Sequence, residues 1–282
     1  MLVNHVGLSR VLVSFAIVAG SALAIAAVLA ALLWWRQERI VFQPSGPPYP
    51  DGGAARRVEY RASDGQPLFA YVVGDEVAAA ATGVLLAFHG NADLAAWVVP
   101  WGREVQRRTG RVVVLAEYRG YGGLTGPPTV EGVRRDAQAA FAWVRDTLRV
   151  PNDRLAIYGH SLGSAVAAEL AAEARPAALL LEAPFTSARA MARIVVARPV
   201  ELVWGVISRV RYDTEASVRR LDARVSVAHG ESDFIIPSRM GEAVFAAARL
   251  KGELLIVPGA GHNDLAEVAG ESYWRWIEAG SR

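Results

Sequence analysis

The stretch that decides the fold is residues 154–174, RLAIYGHSLGSAVAAELAAEA. Its apolar beginning is typical of a buried strand, and its Ala-rich second half is typical of a closely packed helix. Between them, Gly159–Gly163 has the pattern G-x-S-x-G, which at a strand-to-helix turn exposes the Ser oxygen above a sheet. The arrangement predicts Ser161 as a nucleophile and the Leu162 backbone N–H as an oxyanion donor at the helix N-terminus.

The chain around this stretch alternates strands with helices. Two apolar runs on either side of Asp64-Gly65 predict a hairpin, and the later strands are followed by segments of helical periodicity. The predicted strands are VEYRAS, LFAYVV, GVLLAF, RVVVLA, RLAIY, AALLL, RVSVA and ELLIV, all between residues 58 and 257. The predicted helices cover about 94–108, 130–148, 161–174, 238–248 and 272–279. This alternation predicts an α/β fold with a mostly parallel eight-stranded sheet and helices on both faces.

A serine alcohol needs a general base to act as a nucleophile. Among the histidines, His262 lies in a glycine-containing loop just after the last predicted strand, where the chain is free to fold back over Ser161. His262 is therefore the predicted base. His89 and His229 close predicted strands, and His160 lies inside the turn itself; His89 and His229 are predicted to be structural, and the His160 ring to point away from the Ser oxygen.

The base needs a carboxylate that orients it. Asp233 follows the strand RVSVA, and the chain order Ser161, Asp233, His262 is that of the α/β-hydrolase arrangement of a catalytic triad. Glu231 and Asp264 are weaker alternatives, since Glu231 sits within the turn and Asp264 is very close to His262 in sequence.

The second oxyanion donor is expected from the loop after GVLLAF, which reads HGNA at residues 89–92. We assign the backbone N–H of Asn91 to this role, beside that of Leu162. An alternative, compatible role for Asn91 is to cap a helix that begins near Asp93.

The N-terminal region contains a membrane-length segment, because Val11–Trp35 carries no formal charge. At about 1.5 Å per residue, a helix of this length spans a ~30 Å hydrocarbon core. Trp34 and Trp35 followed by Arg36 are typical of an interface anchor. The competing reading is a signal peptide cleaved near Ala24, but the apolar run continues well past that position.

The predicted organisation is an N-terminal flank (1–10), a transmembrane anchor (11–35), a Pro/Gly-rich linker (36–57) and a hydrolase domain (58–282). The linker contains QPSGPPYPDGG and is expected to be an extended tether between the domain and the lipid bilayer. Arginines on both sides of the anchor leave orientation open; the short N-terminal flank favours a single-pass protein with an extracytoplasmic catalytic domain.

One connection is much longer than the rest. The segment from about 185 to 223 is apolar and helical in composition but is interrupted by charges, so it does not read as a second membrane span. We expect a small helical cap over the top of the sheet. The alternative is one ordinary surface helix with a long loop.

Composition excludes several function classes. Lys plus Arg number 30 and Asp plus Glu 28, so the net charge is +2, without the basic surplus of a general nucleic-acid binder. The chain has no Cys, which excludes disulfides, thiolate metal sites and a Cys nucleophile. It contains no H-E-x-x-H, phosphate-binding loop or dinucleotide fingerprint, so no metal, cofactor or nucleic-acid partner is predicted.

Taken together, these pieces resemble the α/β-hydrolases over about residues 58–279, and within them the membrane-anchored serine hydrolases of the serine aminopeptidase-like type. The segments that carry the resemblance are ERIVFQPS, FHGNAD, EYRGYGG, GHSLGSA, LEAPFTS, HGESDFIIP and GHNDL. The resemblance implies a Ser161–Asp233–His262 triad, and eukaryotic relatives include protein depalmitoylases. Haloalkane dehalogenases and epoxide hydrolases share the fold but use Asp as the nucleophile.

The chain departs from this family at two positions. Asp93 stands where relatives usually have Gly, which places a charge beside the oxyanion hole. Glu117 stands where they commonly have Asp or Asn, and its loop is expected to support the oxyanion loop structurally.

The expected activity is hydrolysis of carboxylic esters or thioesters of apolar acyl groups, from small-molecule or lipid-like substrates, through an acyl-enzyme. One alternative is peptide cleavage or acyl transfer by the same triad; recognition of a substrate amine would then need a carboxylate near the pocket, from Glu117, Glu182 or Glu201. Another is a non-catalytic interaction protein with this fold, which the intact triad disfavours.

Overall fold

The computed structural model describes residues 3–53 and 55–282, so Met1 and Leu2 of the predicted flank lie outside the described residues. The strands are β1 (Arg56–Arg61), β2 (Pro67–Val73), β3 (Val84–Phe88), β4 (Val112–Ala116), β5 (Leu155–His160), β6 (Ala178–Glu182), β7 (Arg224–Gly230) and β8 (Leu250–Val257). The helices are α1 (Val3–Val41), α2 (Ala79–Thr82), α3 (Val99–Thr109), α4 (Val130–Thr147), α5 (Leu162–Ala174), α6 (Ala188–Val195), α7 (Arg198–Ile207), α8 (Thr214–Arg219), α9 (Ser238–Ala247), α10 (Leu265–Ala269) and α11 (Glu271–Gly280).

The eight strands form a single sheet in the order β1-β2-β4-β3-β5-β6-β7-β8. The pairs β1–β2 and β2–β4 are antiparallel, and every later pair is parallel. The predicted mostly parallel eight-stranded sheet is confirmed. β5 lies near its centre, between β3 and β6, so the turn after β5 stands at the middle of the carboxyl edge, where parallel sheets place their ligands.

The sheet separates two apolar layers. One layer packs α4, α5, α8 and α9 against one face, and the other packs α3, α10 and α11 against the opposite face. All five residues of β3 and of β4 are buried, as their continuous apolar sequences predict for strands covered on both sides. Helices on both faces are confirmed.

The N-terminal helix is longer than the predicted anchor. α1 extends past Trp35 to Val41, so the first part of the predicted linker, residues 36–41, is helical. These residues are good helix formers and no Pro occurs before Pro44, so the membrane boundary predicted at the tryptophans does not end the helix. Within α1, the most apolar 18-residue stretch of Leu12–Val41 has a mean hydropathy of 2.5 and is not buried. By length and composition this helix is able to cross a membrane. A signal sequence near an N-terminus meets the same criteria.

The segment after α1 is extended, but it is not a free tether. Phe42 is buried and its ring meets Tyr212 edge-on at 6.5 Å. The Ser45 hydroxyl donates to the Ala92 carbonyl at 2.6 Å. The chain leaving the helix therefore packs directly against the loop after β3.

Three helices, α6, α7 and α8, occupy the predicted cap region. α6 and α7 pack against each other, and α7 also contacts α1, while α8 packs against α5 and α9. The Arg209 backbone N–H just after α7 donates to Gln37 Oε1 of α1 at 2.5 Å. The single-helix alternative is wrong, because two separate helices, one on each side of Val196-Ala197, pack against each other.

Candidate active site

The turn that carries Ser161 is strained and crowded. Ser161 has φ 52° and connects β5 directly to α5. A Cβ on Gly159 would lie 2.2 Å from the Gly163 carbonyl oxygen, and one on Gly163 would lie 2.2 Å from the Phe88 carbonyl oxygen. Both positions therefore require glycine, and the left-handed backbone at Ser161 is held by this close packing of strand on helix.

The three predicted triad residues lie in one hydrogen-bonded line. The Ser161 hydroxyl donates to His262 Nε2 at 2.9 Å, and His262 Nδ1 donates to Asp233 Oδ2 at 2.7 Å. They come from the β5–α5 turn, the loop after β8 and the loop after β7. The carboxyl edge of the sheet thus brings together side chains that are far apart in sequence, in the geometry of a nucleophile, a base and an orienting carboxylate.

Asp233 is fixed by more donors than the sequence indicated. Its Oδ1 accepts hydrogen bonds from the backbone N–H groups of Ile235 and Ile236, each at 2.8 Å. His229 Nε2 lies 3.2 Å from Asp233 Oδ2 and 2.8 Å from the Ile236 carbonyl, and since both are acceptors, this nitrogen carries the proton. Burial raises the pKa of Asp233, but hydrogen bonds from His229, His262 and the Ile236 N–H more than offset it and hold the pKa well below its usual range. His229, predicted to be structural, is thus a second donor to the carboxylate.

The proposed oxyanion donors are the backbone N–H groups of Asn91 and Leu162. Within the described ranges, neither group has a hydrogen-bond acceptor in the protein. The alternative that Asn91 caps a helix near Asp93 is wrong, because α3 begins only at Val99. Instead, Asn91 Nδ2 donates to the Val41 carbonyl at 2.6 Å, and its Oδ1 accepts from the Gln43 N–H at 2.9 Å. These contacts leave the backbone N–H of Asn91 free to face a ligand.

Behind this loop lies a buried ion pair. His89 Nε2 is 2.7 Å from Glu117 Oε1, and His89 Nδ1 is 2.8 Å from the Gly90 carbonyl. Glu117 Oε2 accepts from the Ala95 N–H at 3.1 Å. Burial alone would lower the pKa of His89, but the Glu117 carboxylate raises it above its ordinary value. With an acceptor at each ring nitrogen, His89 is a protonated support of the oxyanion loop, and Glu117 has the structural position expected of it.

A cavity of about 690 Å³ opens beside Ser161 and His262. Apolar side chains from several elements line it: Ala87, Phe88, Val98, Trp101, Ile235 and Ala266. Among the described residues that line it, Gln43 comes from the linker and none comes from the cap region. The fully described region predicted as a cap over the top of the sheet therefore contributes no lining residue to this cavity. The cap rests against α1, on the side of the sheet opposite α3 and α11, and the pocket is shaped by the linker and by the loops around His262.

Glu182 is one of two carboxylates that line this cavity, and Asp93 is the other. Glu182 Oε2 accepts hydrogen bonds from the Tyr158 and Tyr273 hydroxyls, both at 2.6 Å, and Trp101 Nε1 donates to the Tyr273 oxygen at 2.8 Å. Burial, together with Glu182, raises the pKa of both tyrosines well above the usual value, so they remain donors. Of the three carboxylates considered for amine recognition, Glu117 is occupied by His89 and Glu201 lies in the cap, which leaves Glu182.

The remaining acidic and histidine candidates have other roles. Asp264 Oδ1 accepts from the Gly261 N–H at 2.7 Å and so shapes the loop that presents His262. His160 Nε2 lies 3.2 Å from the His262 carbonyl, against the same loop. Asp93, the departure from the family pattern, lines the cavity and accepts from the Leu94 N–H at 2.8 Å. No local sequence pattern predicts the contacts that Val41 and Gln43 make with Asn91, because these contacts form only in the folded chain.

The chain is similar in sequence to known proteins. Residues 79–214 match the family described as "Serine aminopeptidase, S33". The uncharacterized protein Rv2307c of Mycobacterium tuberculosis is 34% identical over 239 residues, which is 82% of this chain and 82% of that protein. The lysophosphatidylserine lipase ABHD12 of Danio rerio is 29% identical over 154 residues, 48% of this chain but only 39% of that protein.

The fold also matches solved structures. An acetyl xylan esterase from Paenibacillus sp. R4 superposes with a TM-score of 0.65 at 21% identity, over 88% of this chain and 93% of the esterase. At this identity the likeness shows a shared fold. The family match, the mycobacterial relative and the shared fold agree: the chain belongs to the serine aminopeptidase-like family of α/β-hydrolases.

Proposed function

We propose that this chain is a membrane-anchored serine hydrolase that cleaves carboxylic esters or thioesters of apolar acyl groups. The observation that carries the proposal is the continuous hydrogen-bonded line from Ser161 Oγ through His262 to Asp233, with contacts of 2.9 and 2.7 Å. Such a line activates an alcohol that is otherwise a poor nucleophile.

In the acylation step, His262 Nε2 takes the Ser161 proton as the serine oxygen attacks the carbonyl carbon. The carbonyl oxygen becomes an oxyanion, which the N–H groups of Asn91 and Leu162 bind. Asp233 stabilises the imidazolium and holds its ring in orientation. The tetrahedral intermediate collapses, His262 gives its proton to the leaving alcohol or thiol, and an acyl-enzyme remains.

Deacylation repeats these steps with water. His262 removes a proton from a water molecule, and the resulting hydroxide attacks the acyl carbon. The same two N–H groups bind the second oxyanion. Collapse then breaks the bond to Ser161, which regains its proton from His262, and the carboxylic acid leaves.

The cavity supports an apolar acyl group. Its side walls are mostly aromatic and aliphatic, and its volume is within the range of sites that enclose much of a drug-sized ligand. The printed activity of the lysophosphatidylserine lipase relative also supports a lipid-like ester, although this chain spans only 39% of that protein.

Membrane anchoring is supported by α1. The most apolar stretch within Leu12–Val41 is not buried against the domain, which is unfavourable in water and favourable in lipid. We propose a flank at 1–10, an anchor at 11–35 that continues as helix to Val41, an extended linker to residue 55, and a hydrolase domain with its cap at 185–223. The domain is proposed to be extracytoplasmic.

The test is hydrolysis of a graded series of p-nitrophenyl esters and acyl thioesters by the full-length chain in detergent, with Ser161→Ala as the matched variant. We expect turnover by the wild type and its loss in Ser161→Ala by at least about 10³-fold. Equal turnover by the two proteins would refute the assignment. A ratio of ester to thioester turnover then decides between these two substrate classes.

A second candidate function is hydrolysis of aminoacyl substrates. The Glu182 carboxylate lines the cavity, and its two tyrosine donors occupy only one of its oxygens. A carboxylate in an apolar cavity favours a substrate ammonium. Leucine and 4-methylpentanoate esters of the same alcohol differ by this group alone. A preference for the leucine ester that disappears in Glu182→Gln, with turnover of leucine amides, would favour this function; no preference would exclude it.

A further inference from the structure

Many apolar side chains on α6 and α7 are exposed to solvent. Its members, which we call the cap surface, are Ile194, Val195, Val196, Val200, Leu202, Val203 and Val206. Val206 is 79% exposed and Val195 is 72% exposed. Single exposed apolar residues are common, but so many on two consecutive helices mark an interaction surface.

The cap surface lies beside the end of α1. α7 contacts α1, and the Arg209 guanidinium carbon after α7 lies 4.6 Å from the centre of the Trp34 ring. Gln37, one turn further along α1, is fully buried and accepts the Arg209 N–H. Ala30, Leu33, Gln37 and Val41 recur at helical spacing as the partly or fully buried stripe of α1. The domain thus meets α1 at the depth of its tryptophans, which is where the membrane interface is expected.

Positive charge borders the apolar residues. Arg189, Arg193 and Arg198 surround a shallow groove that Leu202 and the buried Glu201 complete. Glu201 Oε1 lies 3.4 Å from Arg189 Nε and 3.2 Å from Arg193 Nε, so two guanidinium groups share one carboxylate, and Arg198 lies at the same groove. Exposed aliphatic side chains with arginines at their edge are typical of helices that lie in the headgroup region of a bilayer.

We propose that α6 and α7 lie in the headgroup region of the phospholipid bilayer that α1 spans, with the cap surface toward the acyl chains and the arginines at the phosphates. This inference rests on the proposed membrane anchoring. It goes further, because it assigns the cap a lipid surface as its ligand instead of a role over the pocket. Since Gln43 follows α1 almost directly and lines the cavity, the active site is then held close to the membrane surface.

The absence of Cys from the sequence allows a site-specific test on the full chain. Val195→Cys and Val206→Cys are each labelled with the environment-sensitive dye NBD and reconstituted into phosphatidylcholine–phosphatidylglycerol vesicles, with or without doxyl-labelled lipid. Val77→Cys is the matched control, since Val77 is 93% exposed in the turn before β3, at the opposite edge of the sheet from Ser161. Leu23→Cys reports on α1 itself.

The proposal predicts that the probes at Val195 and Val206 emit at shorter wavelength than the probe at Val77 and lose most of their emission to doxyl lipid. Probes at Val195 and Val206 that behave like the one at Val77, while the probe at Leu23 is quenched, would overturn the cap proposal and leave the anchor intact. An unquenched probe at Leu23 would overturn both. Labelling of Ser161 by a fluorophosphonate in each variant verifies that the domain is folded.

Discussion

The Asn91 side-chain amide donates a 2.6 Å hydrogen bond to the carbonyl of Val41, the last residue of the N-terminal helix. On its other side, Asn91 Oδ1 accepts from the Gln43 N–H and from the Tyr121 hydroxyl at 2.7 Å. The backbone N–H of the same residue is the proposed second oxyanion donor. The end of the helix and the oxyanion loop are therefore one hydrogen-bonded unit, and we propose that α1 affects turnover as well as location.

Replacement of Asn91 by Ala tests this connection. The variant keeps the backbone N–H but leaves the Val41 carbonyl and the Gln43 N–H without their partner, so the loop is less well positioned. We expect kcat to fall by about 10- to 100-fold, with KM little changed. This fall does not exceed the one expected when a whole oxyanion donor is removed. Steady-state kinetics with a short soluble ester measure both constants.

Tyr121→Phe is the matched control, because it removes only one of the contacts to Asn91. A single lost hydrogen bond of about 1 kcal/mol corresponds to about fivefold in kcat, so we expect a smaller loss than in Asn91→Ala. If Asn91→Ala retained wild-type kcat, the helix end would have no part in positioning the loop.

Asp233→Asn tests the orienting carboxylate. The amide presents a donor where His262 Nδ1 needs an acceptor, so the ring adopts the wrong tautomer for accepting the Ser161 proton. We expect kcat to fall by about 10⁴-fold. Glu231→Gln, two positions earlier and outside the hydrogen-bonded line, should retain wild-type kcat. A large loss in Glu231→Gln with little loss in Asp233→Asn would reverse the assignment.

The buried pair of His89 and Glu117 predicts a pH dependence of stability. The pKa of His89 is raised in the folded chain. The pair therefore contributes its full share to the free energy of unfolding below the pKa of His89 in the unfolded chain, about 6.5. This contribution is lost as the pH rises through the pKa of His89 in the folded chain. In Glu117→Gln the attraction is absent. We expect the loss in unfolding free energy relative to wild type, measured by urea unfolding in detergent, to be largest at pH 6 and smaller at pH 9.

Glu76→Gln provides the comparison for this pair. Glu76 binds Arg56 at the surface, and an Arg partner does not titrate in this range, so its small effect should be constant from pH 6 to pH 9. A loss in Glu117→Gln that was equally independent of pH would show that His89 is not protonated in the folded protein.

Glu169 lies on α5, the helix that follows Ser161, and its replacement is expected to stabilise the protein. Burial raises its pKa to about 7, with the Glu173 and Glu131 carboxylates adding to the effect of burial and Arg134 opposing it. Between the unfolded value of about 4.3 and pH 7 the folded chain retains a proton that the unfolded chain has lost, so stability declines as pH rises. Glu169→Gln should stabilise the protein by on the order of 2 kcal/mol at pH 8 and by almost nothing at pH 4.

Urea unfolding at both pH values measures this difference. Glu173→Gln, one turn later on the same helix and more exposed, is the control and should change stability by less than about 0.5 kcal/mol. The account of Glu169 fails if its variant is no more stable than wild type at pH 8.

Local patterns were enough to predict the fold and the line of three side chains. The strand, turn and helix around Ser161 follow from apolar periodicity and from two glycines whose neighbours leave no room for a Cβ. Asp233 and His262 were found because each follows a predicted strand, and the carboxyl ends of parallel strands meet at one edge. Their catalytic roles remain proposals.

The contacts that the sequence did not predict are long-range. The linker sequence predicts an extended tether, because no local pattern indicates that Gln43 and Ser45 bond to residues 91 and 92. The cap was predicted from its apolar composition, but composition does not distinguish packing on a pocket from packing beside α1. His229 was predicted to be structural, since a strand-end His gives no sign that its ring reaches the Asp233 carboxylate.

The central claim is that Ser161 is an activated nucleophile, and labelling with a fluorophosphonate tests it most directly. The full-length wild type and Ser161→Ala are treated side by side, and the modified peptide is identified by mass spectrometry. The account predicts a phosphonylated Ser161 in the wild type and no adduct in the variant. A folded wild type that stays unlabelled, or an adduct on another serine, would contradict it and would favour a non-catalytic interaction protein with a hydrolase fold.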